Sequence, residues 1–264
     1  MVQINDISYE EKGTISPPVI CLHGIGGDSK SFEPQLLGLS GKHRVIAWNM
    51  PGYQSSKPLE KVTFEELSNS LKTFLDDLQI SEASLVGQSI GGMVAQDFFF
   101  RYPERVKTLT LIATTSAFGG RDERFKKKFL DLRLKPLSLG KKMSELAEQF
   151  VPEILGNSYS DQVLENAINS MSKIPIKTYK DIMSCLVTFN RYQDFEKINI
   201  PCCLIAGRED MNSPFKTMEK MSFKLKNAEF HCIKDAGHLV NLEAPVKTNK
   251  IILEFLESNL HVLR

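Results

Sequence analysis

The sequence predicts an α/β fold: a mostly parallel central sheet flanked by helices, with a helical cap inserted late in the chain. Two observations lead there. Short apolar runs of strand length alternate with stretches of helical spacing, the pattern of a parallel sheet covered on both faces. The alternation stops between about Phe118 and Phe195, where Lys, Arg, Glu and Leu dominate, and then resumes. With 264 residues, the chain can form one such domain with an insertion, and its core needs no disulfide or metal staple. The expected division is a core of residues 1–117 and 196–264 and a cap of residues 118–195.

The elements follow in order. Pro18 to Leu22 (PVICL) is the first core strand and runs into His23-Gly24; Arg44 to Trp48 (RVIAW) is the second and ends near Pro51-Gly52. From Thr63 to Ile80, Phe64, Leu67, Leu71, Phe74, Leu75 and Leu78 keep the i, i+3, i+4 spacing of an amphipathic helix. Thr63, with Glu66 three residues on, reads as a capping box. Ser84 to Gly87 is a strand, Ile90 to Arg101 a helix that stops before Pro103, and Val106 to Ala113 a further strand. In the cap, Met143 to Phe150 and Gln162 to Met171 have helical spacing, and Pro136, Pro152 and Pro175 are expected to cut the segment into short pieces. Cys202 to Ala206 (CCLIA) and Glu229 to Ile233 (EFHCI) resume the sheet, and a helix from Pro245 to about Ser258 closes it.

The formal net charge of +1 gives no electrostatic reason to expect nucleic acid or an anionic membrane as a partner. No run approaches the ~18 apolar residues of a membrane span. Met1 to Glu11 has neither the basic start nor the apolar stretch of a secretory signal. The five cysteines show no CxxC spacing. Cys21, Cys202, Cys203 and Cys232 lie in apolar runs, so buried thiols are expected. Together these features predict a soluble, cytoplasmic protein.

Gly87-Gln88-Ser89-Ile90-Gly91 follows a strand and opens a helix. As a string G-x-S-x-G is common, but in this context it is a nucleophile elbow. The turn is so tight that the residues two before and two after the serine must be tiny. The helix N-terminus beneath the serine favours a developing negative charge. A serine needs a base. His238 lies past the strand ending at Ile233, in a loop at the sheet edge where active sites of open α/β sheets collect; the alternative is a solvent-facing loop histidine. His23 is expected to orient its loop through hydrogen bonds. Asp210 closes Gly207-Arg208-Glu209-Asp210 after CCLIA and would fix the tautomer of His238. Glu209 is its local competitor, and Asp210 could instead cap the next helix. The order Ser, Asp, His suits the assignment. Ile90, next to the nucleophile, and Ile25, in the glycine-rich loop after the first core strand, are the expected backbone donors to an oxyanion.

These segments together resemble the α/β-hydrolase superfamily over nearly the whole chain. LHGIGGDSKSF is similar to its oxyanion loop, VIAWNMPGYQSS to its D-x-P-G-x-G-x-S turn, VGQSIGGMVAQ to its elbow, AGREDMNSP to its acid loop and DAGHLVNLEAP to its histidine loop. HGIGG, SIGGMVAQ and GHLVNLEAP look most like the 3-oxoadipate enol-lactonase and small carboxylesterase branch. Asn49 stands where that turn usually has Asp, and Gln54 where it usually has Gly. Ser89 argues against the haloalkane dehalogenase and epoxide hydrolase branches, which place Asp there. The resemblance implies a serine hydrolase that cleaves a small carboxylic ester or lactone through an acyl-enzyme, with no metal or organic cofactor. Two other readings stay open: C–C hydrolysis of a vinylogous diketone by the same triad, and a ligand receptor on the same fold. Arg121, Arg124, Lys126, Lys127, Lys128 and Arg133 make the first part of the cap basic, as a solvated helix face or as a site for a carboxylate-bearing substrate. Tyr179, Phe189 and Arg191 are candidates to line the pocket.

Overall fold

The structure, a computed structural model, describes residues 1–118 and 122–260; Arg121 of the basic stretch lies outside them. One sheet holds β1 (Val2–Ile4), β2 (Ile7–Lys12), β3 (Val19–Leu22), β4 (Val45–Trp48), β5 (Ala83–Gln88), β6 (Val106–Ile112), β7 (Cys202–Gly207) and β8 (Ala228–Ile233). The strands lie in the order β1-β2-β4-β3-β5-β6-β7-β8. From β4 to β8 every neighbouring pair is parallel, while β2 runs antiparallel to both β1 and β4.

The N-terminal hairpin is an addition to the expected elements. Ile4 pairs with Ile7 across Asn5-Asp6, and Asn5 turns the chain with φ 45°, a conformation Asn tolerates better than most residues. Only Ile7, Ser8 and Tyr9 of this hairpin are buried, so its hydrophobic signal is brief.

The helices are α1 (Glu33–Leu39), α2 (Phe64–Asp77), α3 (Ile90–Arg101), α4 (Glu123–Ser138), α5 (Met143–Ile154), α6 (Asp161–Ser172), α7 (Ile176–Leu186), α8 (Phe215–Ser222), α9 (Val240–Glu243) and α10 (Pro245–Asn259). Strand alternation divides the core between the two faces of the sheet. In β3, Val19 and Cys21 pack with Leu36 of α1 and Phe255 of α10. Ile20 and Leu22 pack instead with Leu71 and Phe74 of α2 and Phe98 of α3. Successive strand side chains point to opposite faces, and burial on both explains the unbroken apolar reading of PVICL. Each such side chain withdrawn from water contributes about 1.5–3 kcal/mol. At the start of α2, Thr63 Oγ1 accepts from Glu66 N at 3.1 Å; only this half of the capping box forms.

Helices α4 to α7 lie between β6 and β7. The segments leading into and out of them are tied together: Ala117 bridges Asn190, Phe118 N donates to Phe189 O at 2.9 Å, and Arg191 N donates to Ser116 O at 2.8 Å. The prolines divide these helices less than expected. Pro136 and Pro152 sit inside the last turns of α4 and α5, and only Pro175 marks a start, as the N-cap of α7. Proline removes one backbone donor and crowds the carbonyl four residues back, which a helix tolerates best where it is about to end.

Cys21, Cys185, Cys202 and Cys203 are buried, but Cys232 is exposed. β8 is the last strand of the sheet, and its residues before Ile233 are at most half-buried, so EFHCI overstates its own burial. Among the described residues, no helix is long and apolar enough to cross a membrane.

The two departures in the turn after β4 have local explanations. Asn49 is buried, accepts from Ser29 N at 2.8 Å and donates to Ser8 Oγ at 2.9 Å; with an aspartate the Ser8 hydroxyl would have to turn and donate instead. Gln54 has φ 49°, where a side chain costs about 1–2 kcal/mol, and its amide donates to Asp28 Oδ2.

Candidate active site

β5 ends at Gln88 and α3 starts at Ile90, leaving Ser89 alone in the turn with φ 54° and ψ −122°. Such a conformation is strained for any residue but glycine and persists only when its surroundings enforce it. Here they do. A Cβ at Gly87 would lie 2.5 Å from the Gly91 carbonyl oxygen, and one at Gly91 would run into the Leu22 carbonyl. Space alone therefore demands glycine on both sides of the serine.

The structure brings Ser89, His238 and Asp210 together. His238 Nδ1 lies 2.8 Å from Asp210 Oδ2, and Nε2 lies 3.0 Å from Ser89 Oγ. A carboxylate has no proton to give, so Nδ1 carries the hydrogen and donates. Nε2 is then left to accept from the serine hydroxyl. Asp210 Oδ1 accepts from Asn212 N at 2.8 Å and Ser213 N at 3.0 Å. One carboxylate thus shapes its own loop and aims the imidazole, while α8 starts separately from Pro214. Glu209 faces elsewhere, accepting from Asn157 N at 2.6 Å. Burial opposes ionisation of both Asp210 and His238, but their mutual attraction and hydrogen bond outweigh it. The Asp210 carboxyl is held below its ordinary range and the His238 imidazole above its own.

The expected oxyanion donors lie on two separate elements, the loop after β3 and the start of α3. Ile90 is the first residue of α3, and Ile25 lines the same cavity as Ser89. Neither N–H has a protein acceptor among the described residues. His23 serves the loop, as expected. Its Nδ1 donates to Gly24 O at 2.8 Å and its Nε2 accepts from Met50 N at 3.0 Å, a pairing that requires the neutral ring. Burial pushes its pKa down in the same sense. Gln88 is buried and donates to His238 O at 2.9 Å, tying the elbow to the histidine loop.

A cavity of about 350 Å³ opens onto Ser89 and His238, within the size range of small-molecule sites. Its far wall comes from α4 to α7 and is mostly apolar: Phe129, Phe150, Met171, Tyr179, Met183 and Leu186. Of the three cap candidates only Tyr179 lines it. Phe189 packs on Phe64, and Arg191 pairs with Asp97. The basic stretch divides similarly. Arg124, Lys127 and Lys128 are exposed and Lys126 pairs with Glu123, but Arg133 turns into the cavity, its guanidinium carbon 3.8 Å from the Phe129 ring centroid.

Glu243 is a functional candidate that sequence reasoning missed, although it stands in LVNLEAP just after His238. Its carboxylate accepts from Gly156 N at 2.7 Å, Gly237 N at 2.9 Å and Leu239 N at 2.9 Å. His238 N in turn donates to Ile154 O at the end of α5. The histidine loop is therefore fastened to the α5–α6 connection. Glu243→Ala is expected to cost roughly 2–4 kcal/mol, because it strands three donors, two on the buried Gly156 and Gly237 and one on the half-buried Leu239, at about 1–3 kcal/mol each in the fully buried limit. Thermal unfolding should show a Tm lower by about 4–15 °C, together with a fall in kcat. An unchanged Tm would mean that water replaces the carboxylate freely.

A Cys203, Glu229 and His231 group on β7 and β8 brings its ligand atoms within 4.8 Å of one another. It sits on the strands themselves, away from the loops that carry Asp210 and His238, and takes no part in the triad geometry.

The family described as alpha/beta hydrolase fold matches residues 17–245. The chain belongs to it. Among sequence relatives of this α/β-hydrolase, 3-oxoadipate enol-lactonase 1 of Acinetobacter baylyi is 24% identical over 249 residues, covering 92% of this chain and 90% of the relative. Among solved structures, an esterase of Thermogutta terrifontis superposes with a TM-score of 0.88 at 24% identity, covering 96% and 93% of the two chains. A bromoperoxidase of Bacillus anthracis gives 0.85 at 22%, covering 95% of each. At these identities the solved structures share the fold of this α/β-hydrolase, and the activities in their names vary.

Proposed function

We propose that this α/β-hydrolase cleaves a carboxylic ester or lactone through an acyl-enzyme. The observation that carries the reading is the hydrogen-bonded chain Ser89–His238–Asp210, with distances of 3.0 and 2.8 Å, whose Ser89 and His238 line a mostly apolar cavity. Ser89 Oγ attacks the carbonyl carbon as its proton passes to His238 Nε2. Asp210 stabilises the imidazolium. The carbonyl electron pair moves onto oxygen and is held by the Ile25 and Ile90 N–H groups; each such donor is worth about 10²–10³ in rate. Collapse breaks the C–O bond, and the departing oxygen takes the proton from His238. Water then attacks the acyl-serine by the same route and releases the acid.

Turnover of a 4-nitrophenyl ester tests the reading. Rapid mixing should show a burst of nitrophenol equal to the enzyme, and mass spectrometry should place the acyl group on Ser89. With pH, kcat/KM should rise through one ionisation above the ordinary histidine value of about 6.5. The sign follows from two facts: the base must be neutral, and Asp210 holds the His238 pKa up, so activity is lost as pH falls through that raised value. Turnover without acylation of Ser89, or an inflection well below pH 6, would overturn the assignment.

A further inference from the structure

We infer that Cys203, Glu229 and His231 form a three-ligand zinc site that clamps the edge strand β8 to β7. The inference is independent of the hydrolytic reading of Ser89. Three observations carry it.

The first is register. Cys203 of β7 pairs directly with Glu229 of β8, and Ile205 pairs with His231. Residues two apart on a strand share a face, so Glu229 and His231 stand in line on the face that carries Cys203. The backbone ladder fixes these three positions, and no loop has to close around an ion. Sites built on strands are held more precisely than sites built on loops.

The second is distance. The Cys203 sulfur, a Glu229 carboxylate oxygen and a His231 ring nitrogen all lie within 4.8 Å of one another. His231 Nε2 is 3.1 Å from Glu229 Oε1. Zinc holds sulfur at about 2.3 Å and nitrogen or oxygen at about 2.0–2.2 Å, which sets tetrahedral ligand atoms about 3.3–3.6 Å apart. One pair is already near that spacing, and both its side chains are partly exposed, so small rotations bring the third ligand into range.

The third is the chemistry of the donor set. Cys203 is buried in the apolar cluster that holds Ile205, Ile252 and Phe255, whereas Glu229 and His231 reach water on the last strand of the sheet. The thiol lies inward and the carboxylate and imidazole outward. An ion therefore enters from the solvent side and keeps water in its fourth position. Sulfur, nitrogen and oxygen together suit zinc, while magnesium and calcium take oxygen ligands. Among the described residues Glu229 has no lysine or arginine in ion-pair contact; its partner is His231, so ligation displaces no fixed cation. On binding, the Sγ–H bond breaks, an Sγ–zinc bond forms and the proton passes to solvent. β7 and β8 lead into the loops of Asp210 and His238, so the ion fastens together the two strands that deliver the acid and the base.

The test strips the full chain with a chelator and titrates it with zinc, then with cobalt(II) as a spectroscopic substitute. One zinc should bind per chain and raise the Tm by roughly 5–10 °C at about a hundredfold excess over its Kd. The cobalt form should show a thiolate-to-metal charge-transfer band in the near ultraviolet, absent from Cys203→Ser. His231→Gln and Glu229→Gln alter partly exposed side chains and should fold, and each should weaken zinc by at least about tenfold, since losing even an outer partner of a ligand costs roughly 10–100-fold. Two variants should bind zinc as the wild type does: Cys232→Ser, on the opposite face of β8, and His238→Ala, in the triad. Failure of the stripped chain to bind, a cobalt spectrum without the thiolate band, or equal affinity in Cys203→Ser and His231→Gln would overturn the site. Zinc lost in His238→Ala would move the ion to the triad and overturn it as well.

Discussion

Ser89→Ala is expected to lower kcat by on the order of 10⁶ while leaving the fold intact, the loss that removal of the nucleophile causes in a comparable triad enzyme. The variant isolates the chemistry because, among the described residues, Ser89 Oγ makes one hydrogen bond, to His238 Nε2. The backbone strain at φ 54° is present with either residue, so Tm should change by no more than a few degrees. A fluorophosphonate should phosphonylate the wild type once, at Ser89, and stop turnover, whereas the alanine variant should take no label. Residual activity would come from water acting in the cavity on a carbonyl polarised by the proposed Ile25 and Ile90 donors, without a covalent intermediate and without a burst. Substantial turnover by the alanine variant would move the nucleophile elsewhere in the cavity.

Much of this site was legible before the fold was known, because each part is a local backbone demand. Gly87 and Gly91 are dictated by carbonyl oxygens that leave no room for a Cβ, so the elbow is written in five consecutive residues. His238 and Asp210 each sit a few residues past an apolar strand run. A parallel sheet delivers all such loops to one edge. The choice between Glu209 and Asp210 was not local: it depends on which carboxylate faces His238 and which faces Asn157, and adjacent residues point in different directions.

The remainder depended on tertiary placement. Arg133 belongs to a sequence whose basic residues look alike, and only the seating of α4 over the sheet turns one of them inward and leaves Lys127 and Lys128 in water. Glu243 resembles any helical glutamate until the α5–α6 connection, far away in sequence, supplies Gly156 N as a partner. Cys232 misled for the reverse reason: an apolar run says nothing about whether a strand lies at the sheet edge, where one side goes uncovered. The N-terminal hairpin was hidden by its length, since Ile7 and Tyr9 offer too few alternating positions to stand out from a polar segment.

Asp210→Asn is expected to reduce kcat by about 10⁴, the effect of the same exchange in another triad enzyme, and the reason can be followed atom by atom. The asparagine oxygen can keep the bonds from Asn212 N and Ser213 N, so the loop should hold its shape. The amide nitrogen then faces His238 Nδ1 where a carboxylate oxygen lay at 2.8 Å. An amide N–H is a donor, so Nδ1 must become the acceptor and the ring proton must move to Nε2. That nitrogen now points a hydrogen at Ser89 Oγ and cannot take the serine proton. The imidazolium of the transition state also loses its counter-charge. Stability should respond separately. The Asp210 pKa is depressed in the folded protein, so the hydrogen bonds to its carboxylate contribute above the ordinary carboxylate value of about 3.9 and are lost as pH falls through the depressed one. The variant should therefore show a lower Tm near neutrality and a smaller difference from wild type in acid. Glu209→Gln is the control, because a glutamine oxygen can still accept from Asn157 N, and kcat should fall by less than about threefold, within 1 kcal/mol of barrier. Steady-state kinetics on both variants, with thermal melts at two pH values, decide the matter: a large loss in Glu209→Gln and a small one in Asp210→Asn would hand the orienting role to the neighbouring carboxylate.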